Sequence, residues 1–354
     1  MITEVTVRKP RRNAGVELLR MFAALGVVYG HFFNEAHVLP AEMDGGGQII
    51  NNLRLFTFPA VDIFVVITGY FLCLNNKRTV GKLSTLVFQT AFVYLSLFVV
   101  KYVLSRFYID FDAIIPVKWF LPLYVTLYCI SPYINASIAH LDSKQFTYLI
   151  AALLFFFSIL PVLNEITRAA GLSLGLSTVS SIGSNAGYSI VNFVVVYCVG
   201  AYIRINELHK KVSYPIIIAV IIGCFIFMKL QEAIPYEMTP FNVVGWYDNI
   251  FVILLTASFL LLALKVKIAD KTSKVIVNLA KANFICYLAH YAFIKIFPTH
   301  EVLIMPTFKA LSIIIMFCFA VYAGSYLLWL LYNLLFGKIT KKLDAFVFFS
   351  DGFK

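Results

Sequence analysis

Arg20 and His31 stand eleven residues apart inside one apolar run, "ELLRMFAALGVVYGHFFNE" (17–35). On an α-helix that spacing is about 16.5 Å of rise and three turns plus roughly 20° of rotation. The two side chains therefore share a face at different depths, and Glu35, one turn beyond His31, shares it too. A charge at bilayer depth costs roughly 2.5–3.5 kcal/mol on insertion scales, so such groups are usually kept for a reason. A guanidinium at one mouth suits a phosphate. A buried imidazole stays neutral near pH 7 and suits a general base. The structural alternatives are an Arg that snorkels to the headgroups and a His that joins two helices.

Other polar residues interrupt apolar stretches. Asp62, after "FTFP", either complements a helix N-terminus or orients His31 or an acceptor hydroxyl. Gly69 and Tyr70 allow close helix packing or, for Tyr70, supply a donor to an oxyanion. Trp119 falls at a span edge, where aromatic belts form. Asn283, Tyr287 and His290 stand at i, i+4 and i+7, one polar stripe on an apolar helix. Such a stripe must face a bundle interior or a watery cavity.

The elements that would position these residues follow from composition. Of 354 residues 61% are hydrophobic and 13% charged, and the mean hydropathy is +0.86. A soluble domain carries about 25% charged residues, so a soluble protein is excluded. The expectation is an all-α, polytopic membrane protein of about ten spans: 15–36, 56–75, 83–105, 118–138, 145–163, 187–205, 212–230, 248–266, 282–297 and 308–336. With both termini cytoplasmic, 20 of the 29 Lys and Arg fall on the inner side. The net charge of +11 is thus a topology signal and gives no reason to expect nucleic acid. The first fifteen residues are polar and basic, without a cleavable signal peptide. The six cysteines lie in apolar stretches with no metal-ligand spacing, so no metal is expected. The outer loops 37–55, 164–186 and 231–247 are rich in Gly, Ser, Asn and aromatics, a mixture that suits hydrogen bonding and stacking on sugars as well as plain exposure.

A basic residue, ten residues and then His in a first span resembles the membrane acyltransferase-3 family. The likeness continues in "VDIFVVITGYFL" (61–72), "WFLPLYVTLYCISPYI" (119–134) and "ANFICYLAHYAFI" (282–294), in family order along nearly the whole chain. Thr68 stands where Ser is usual, and the run "NNKRTVGKLS" is poorer in Arg than the family's stretch. The resemblance implies an O-acyltransferase of the bacterial cytoplasmic (inner) membrane. It would move an acetyl group from cytoplasmic acetyl-CoA to a hydroxyl of a cell-surface or lipid-linked glycan. His31, Asp62, Tyr70 and His290 would then be catalytic, with Arg20, Arg78 and Trp119 binding the donor and Glu35 and Tyr287 orienting the acceptor. The expected parts are a basic N-terminal segment (1–14), a stand-alone membrane domain (15–336) and a cytoplasmic tail (337–354). Membrane lipid is a further expected partner, and a homo-oligomer stays open. The competing class is a transporter or flippase for a polysaccharide precursor, which would also keep polar groups along a path through the bilayer.

Overall fold

A computed structural model describes residues 12–38, 47–104, 119–169, 171–172, 185–233 and 243–350. Residues 39–46, 170, 173–184 and 234–242 of the three expected outer loops, and the N-terminal segment up to residue 11, lie outside the described residues. The helices are α1 (Ala14–Ala36), α2 (Gly47–Leu55), α3 (Ala60–Leu72), α4 (Val80–Leu104) and α5 (Phe120–Ala139). Next come α6 (Ser143–Leu154), a π-helical turn (Phe155–Ile159), α7 (Leu160–Ala169), α8 (Ile190–Ile205), α9 (Leu208–Lys211) and α10 (Tyr214–Glu232). The chain closes with α11 (Ile250–Lys265), α12 (Asp270–Leu279), α13 (Asn283–Lys295), α14 (Thr299–Leu303) and α15 (Thr307–Leu343).

Each of the ten expected spans overlaps helical structure, 145–163 with α6, the π-helical turn and α7 together. Seven helical stretches among the described residues are long and apolar enough to cross a membrane. The other three sites are held by α5, α8 and α13. Ser131, Pro132, Tyr133 and Asn135 dilute the apolar residues of α5, while α8 and α13 have only 16 and 13 residues. The all-α membrane architecture holds, with one small addition. Strand β1 (Arg78–Thr79) pairs antiparallel with β2 (Val347–Phe349), clipping the loop after α3 to the chain beyond α15. Helix α15 runs unbroken through Leu343.

Local chemistry explains several of these elements. Asn13 caps α1 by accepting from the Val16 amide at 3.2 Å. Asp142 and Gln145 form a reciprocal capping box at the start of α6. Helices α3 and α8 approach backbone to backbone. A Cβ on Gly69 would lie 2.1 Å from the Tyr197 carbonyl oxygen, and one on Gly200 would lie 2.2 Å from that of Val66. Small residues at this crossing permit the contact, so Gly69 is required by packing.

Pro132 sets a second joint. Without an N–H it cannot bond the carbonyl of Tyr128 one turn back. That carbonyl accepts instead from Arg78 Nε at 3.1 Å and from the Ser131 hydroxyl at 2.9 Å. Arg78 also donates from Nη2 to Ser131 Oγ at 2.6 Å and from Nη1 to the carbonyls of Asn75 and Lys77 at 2.6 and 3.1 Å. The buried guanidinium therefore ties the loop after α3 to the broken rung of α5.

Candidate active site

Helices α1 and α13 pack together and bring the two expected histidines into contact. The rings of His31 and His290 lie 4.9 Å apart between centroids, tilted by 45°. Tyr291 stands edge-on to His31 at 6.0 Å. The Asn283, Tyr287 and His290 stripe is buried, as a polar stripe on an apolar helix requires. Asn283 Oδ1 accepts from the Tyr322 hydroxyl at 2.6 Å, and Tyr287 packs on Phe120 at 5.0 Å.

His290 Nδ1 lies 2.6 Å from the Tyr287 carbonyl oxygen. A carbonyl only accepts, so Nδ1 carries the proton and the neutral ring has its lone pair on Nε2. Neutral His290 therefore has no free N–H with which to stabilise an oxyanion. The geometry instead suits a ring whose Nε2 accepts a proton or a hydrogen bond.

Glu35 closes this end of the site. Its carboxylate accepts from the Tyr291 hydroxyl at 2.5 Å and pairs with Lys295 Nζ at 2.8 Å. Tyr291 and Lys295 escaped notice in the sequence, although their i, i+4 spacing on the helix of His290 places them on one strip.

Arg20 and Tyr70 belong to the opposite end. Arg20 pairs with the buried Glu17 at 2.6 Å and lies over the Phe71 ring at 6.0 Å. Tyr70, next to Phe71, accepts from Arg204 Nη1 at 3.1 Å, and the Arg204 guanidinium lies 5.1 Å over its ring. The histidine end is level with the start of α3, since a Cβ on Gly30 would lie 3.5 Å from Thr57 Oγ1. Tyr70 is ten residues beyond Ala60 on α3, about 15 Å away along the axis. Tyr70 therefore does not stand beside His31, where the expected oxyanion donor would act. Arg204, counted in the sequence only as topology, joins Arg20 at this end. Arg78 is fully buried and bonded to backbone and Ser131, as described above.

Asp62 is fully buried in the first turn of α3, and its Oδ1 accepts from Asn192 Nδ2 of α8 at 3.3 Å. Its hydrogen-bond partner is Asn192, not His31. Trp119 stands at the same end, 4.5 Å from Tyr188 and 5.4 Å from Tyr247 between ring centroids.

The arrangement is thus a basic-aromatic end and an imidazole end on one bundle, with Arg20 and His31 on one helix face between them. The acyltransferase-3 family, described as an acyltransferase domain, matches residues 13–330. The chain belongs to that family. The matched region contains α1 through most of α15, so the histidine pair and both arginines of this acyltransferase lie inside it. No curated protein and no solved structure matches the chain. This is a multi-pass membrane acyltransferase.

Proposed function

We propose that the acyltransferase moves an acetyl group from cytoplasmic acetyl-CoA to a hydroxyl of a surface or lipid-linked glycan, in a bacterial inner membrane. The observation that carries this is the contact of His31 with His290, joined by α1 to a basic end at Arg20. Arg20 and Arg204 hold the phosphates of the donor, whose thin pantetheine arm runs along the α1 face toward His31. As the acceptor oxygen bonds to the thioester carbonyl carbon, His31 takes its proton. The C–S bond then breaks, and the leaving thiolate takes the proton back from the imidazolium. His290, its proton held on Nδ1 by the Tyr287 carbonyl and its ring 4.9 Å from that of His31, helps to stabilise the transient positive charge. Glu35, fastened by Tyr291 and Lys295, borders the acceptor's entry.

Purified protein given labelled acetyl-CoA tests this directly. Wild type releases or transfers the label, and His31→Gln does neither while still binding the donor. An active His31→Gln protein would overturn the mechanism and bring the transporter reading forward. Engineered cysteines at positions 5, 172 and 350 check the orientation, since outer labelling at 5 or 350 contradicts cytoplasmic termini.

A further inference from the structure

Three aromatic rings meet where three helices begin. Trp119 precedes α5, Tyr188 precedes α8 and Tyr247 precedes α11. Their centroids are 4.5 Å (Trp119 to Tyr188), 5.4 Å (Trp119 to Tyr247) and 5.0 Å (Tyr188 to Tyr247) apart. The Tyr188 and Tyr247 hydroxyls are hydrogen-bonded to each other. The cluster is not sealed, for Tyr188 is 45% exposed and Trp119 is half-buried.

Beneath the rings lie acids and amides from neighbouring helix starts: Asp62 of α3, Asn192 of α8, and Asp248 just ahead of α11. All three are at most 2% exposed. The positive ends of these helices favour acidic side chains there. The Ser158 hydroxyl, from the π-helical turn, donates to the Asp248 carbonyl at 2.6 Å and fixes that segment. Asp62 accepts from Asn192, and Phe193, next to Asn192 on α8, packs 6.1 Å from Trp119, which places Asp62 beside the aromatic cluster. Asp62 Oδ2 and Asn192 Oδ1 are buried and have no hydrogen-bond partner among the described residues. A buried acceptor without a donor costs about 1–3 kcal/mol, so this floor is poised to receive O–H or N–H groups.

We propose, building on the acyl-transfer reading above, that Trp119, Tyr188 and Tyr247 with Asp62 and Asn192 form the subsite for a neutral sugar ring of the acceptor. Aromatic faces cover the C–H face of a pyranose, while a carboxyl oxygen of Asp62 and the amide oxygen of Asn192 accept its hydroxyls. Trp119 stands with Asp62 at the start of α3, the end opposite Tyr70 and Arg204, so it belongs to the acceptor and not to the phosphates of acyl-CoA. The subsite also connects to the chemistry. Phe120 follows Trp119 and packs on Tyr287, whose ring is 5.9 Å from that of His290. A sugar seated on the rings thus lies at one end of a continuous side-chain path to the imidazoles.

The test uses the full chain in lipid nanodiscs. Its probe is envelope glycan from the cells that carry this protein, stripped of O-acetyl groups by mild alkali. Trp119→Leu and the more exposed Tyr188→Leu are compared with Asp62→Asn. Each should raise the KM for this glycan about tenfold, the upper range for one aromatic or hydrogen-bonding contact. Acetyl-CoA affinity, measured by equilibrium binding, should stay within about twofold of wild type. A fall in donor affinity with unchanged glycan KM would overturn the subsite and return Trp119 to the donor. Unchanged values in all three variants would overturn it too. Calorimetric titration of the same glycan separates the two levels. Wild-type binding without transfer, weakened by Tyr188→Leu, contradicts the acyl-transfer reading but keeps the subsite. Absence of both binding and transfer removes both.

Discussion

The imidazoles of His31 and His290 face each other 4.9 Å apart across the α1–α13 contact, although one comes from the first helix and the other from near the chain's end. Two rings in direct contact act as a unit, so their substitutions should not add. His31→Gln and His290→Gln are each expected to lower transfer about 10²–10⁴-fold, and the double variant little further. His290→Asn is the sharper probe. Its amide N–H can still reach the Tyr287 carbonyl, but it has no basic nitrogen where Nε2 was. The expected protein melts near wild type and does not transfer. Transfer assays paired with melting curves check this, and an active His290→Asn variant rules out a role for Nε2.

Arg204 is expected to serve donor binding beside Arg20. Removing one charge-assisted hydrogen bond to a phosphate costs about 1.5–3 kcal/mol, or roughly ten- to a hundredfold in donor affinity. Arg204→Ala and Arg20→Ala should each show a loss of that order by equilibrium binding of acetyl-CoA. Arg20→Lys should recover only part, since a point charge does not reproduce the planar fork. Unchanged donor affinity in Arg204→Ala would leave it a partner of Tyr70 alone.

Arg78 separates structure from donor binding. Ser131→Ala removes an oxygen that Arg78 meets at 3.0 Å from Nε and 2.6 Å from Nη2. Weakening the support of a buried charge should destabilise the protein by about 1–3 kcal/mol, read as a lower melting temperature. Donor affinity of the folded fraction should not change. If affinity falls in step with stability loss kept small, Arg78 also contacts the donor.

The short connection around α9 carries a pH dependence. Burial holds His209 below the ordinary imidazole value; Lys210 and Arg204 push the same way, and Glu207 opposes them. The fold therefore favours the neutral ring. Its contribution to stability is fully present above the unfolded value of about 6.5 and is lost as pH falls through the lowered folded value. Wild type should lose more melting temperature between about pH 7.5 and 5 than His209→Gln does. Parallel curves for the two proteins would show that His209 is not responsible.

Composition and charge bias already determined an all-α membrane protein, because a bilayer admits few ways to satisfy an apolar chain's backbone. Periodicity likewise determined that Arg20, His31 and Glu35 share a face, and that Asn283, Tyr287 and His290 turn inward. Both follow from the helix repeat, which is local. Which helices touch was not local. Only tertiary structure put His290 against His31, moved Tyr70 about 15 Å away to Arg204, and gathered Trp119, Tyr188 and Tyr247 from three helix starts. Arg78 makes the same point. Its charge was legible as a phosphate ligand, yet the Pro132 break in α5 offered a carbonyl that captured it. Residue type states what a side chain can do, whereas packing between distant segments decides which partner it meets. In an apolar bundle, where dispersion and a few small residues set each crossing, that choice lies in the shapes of whole helices.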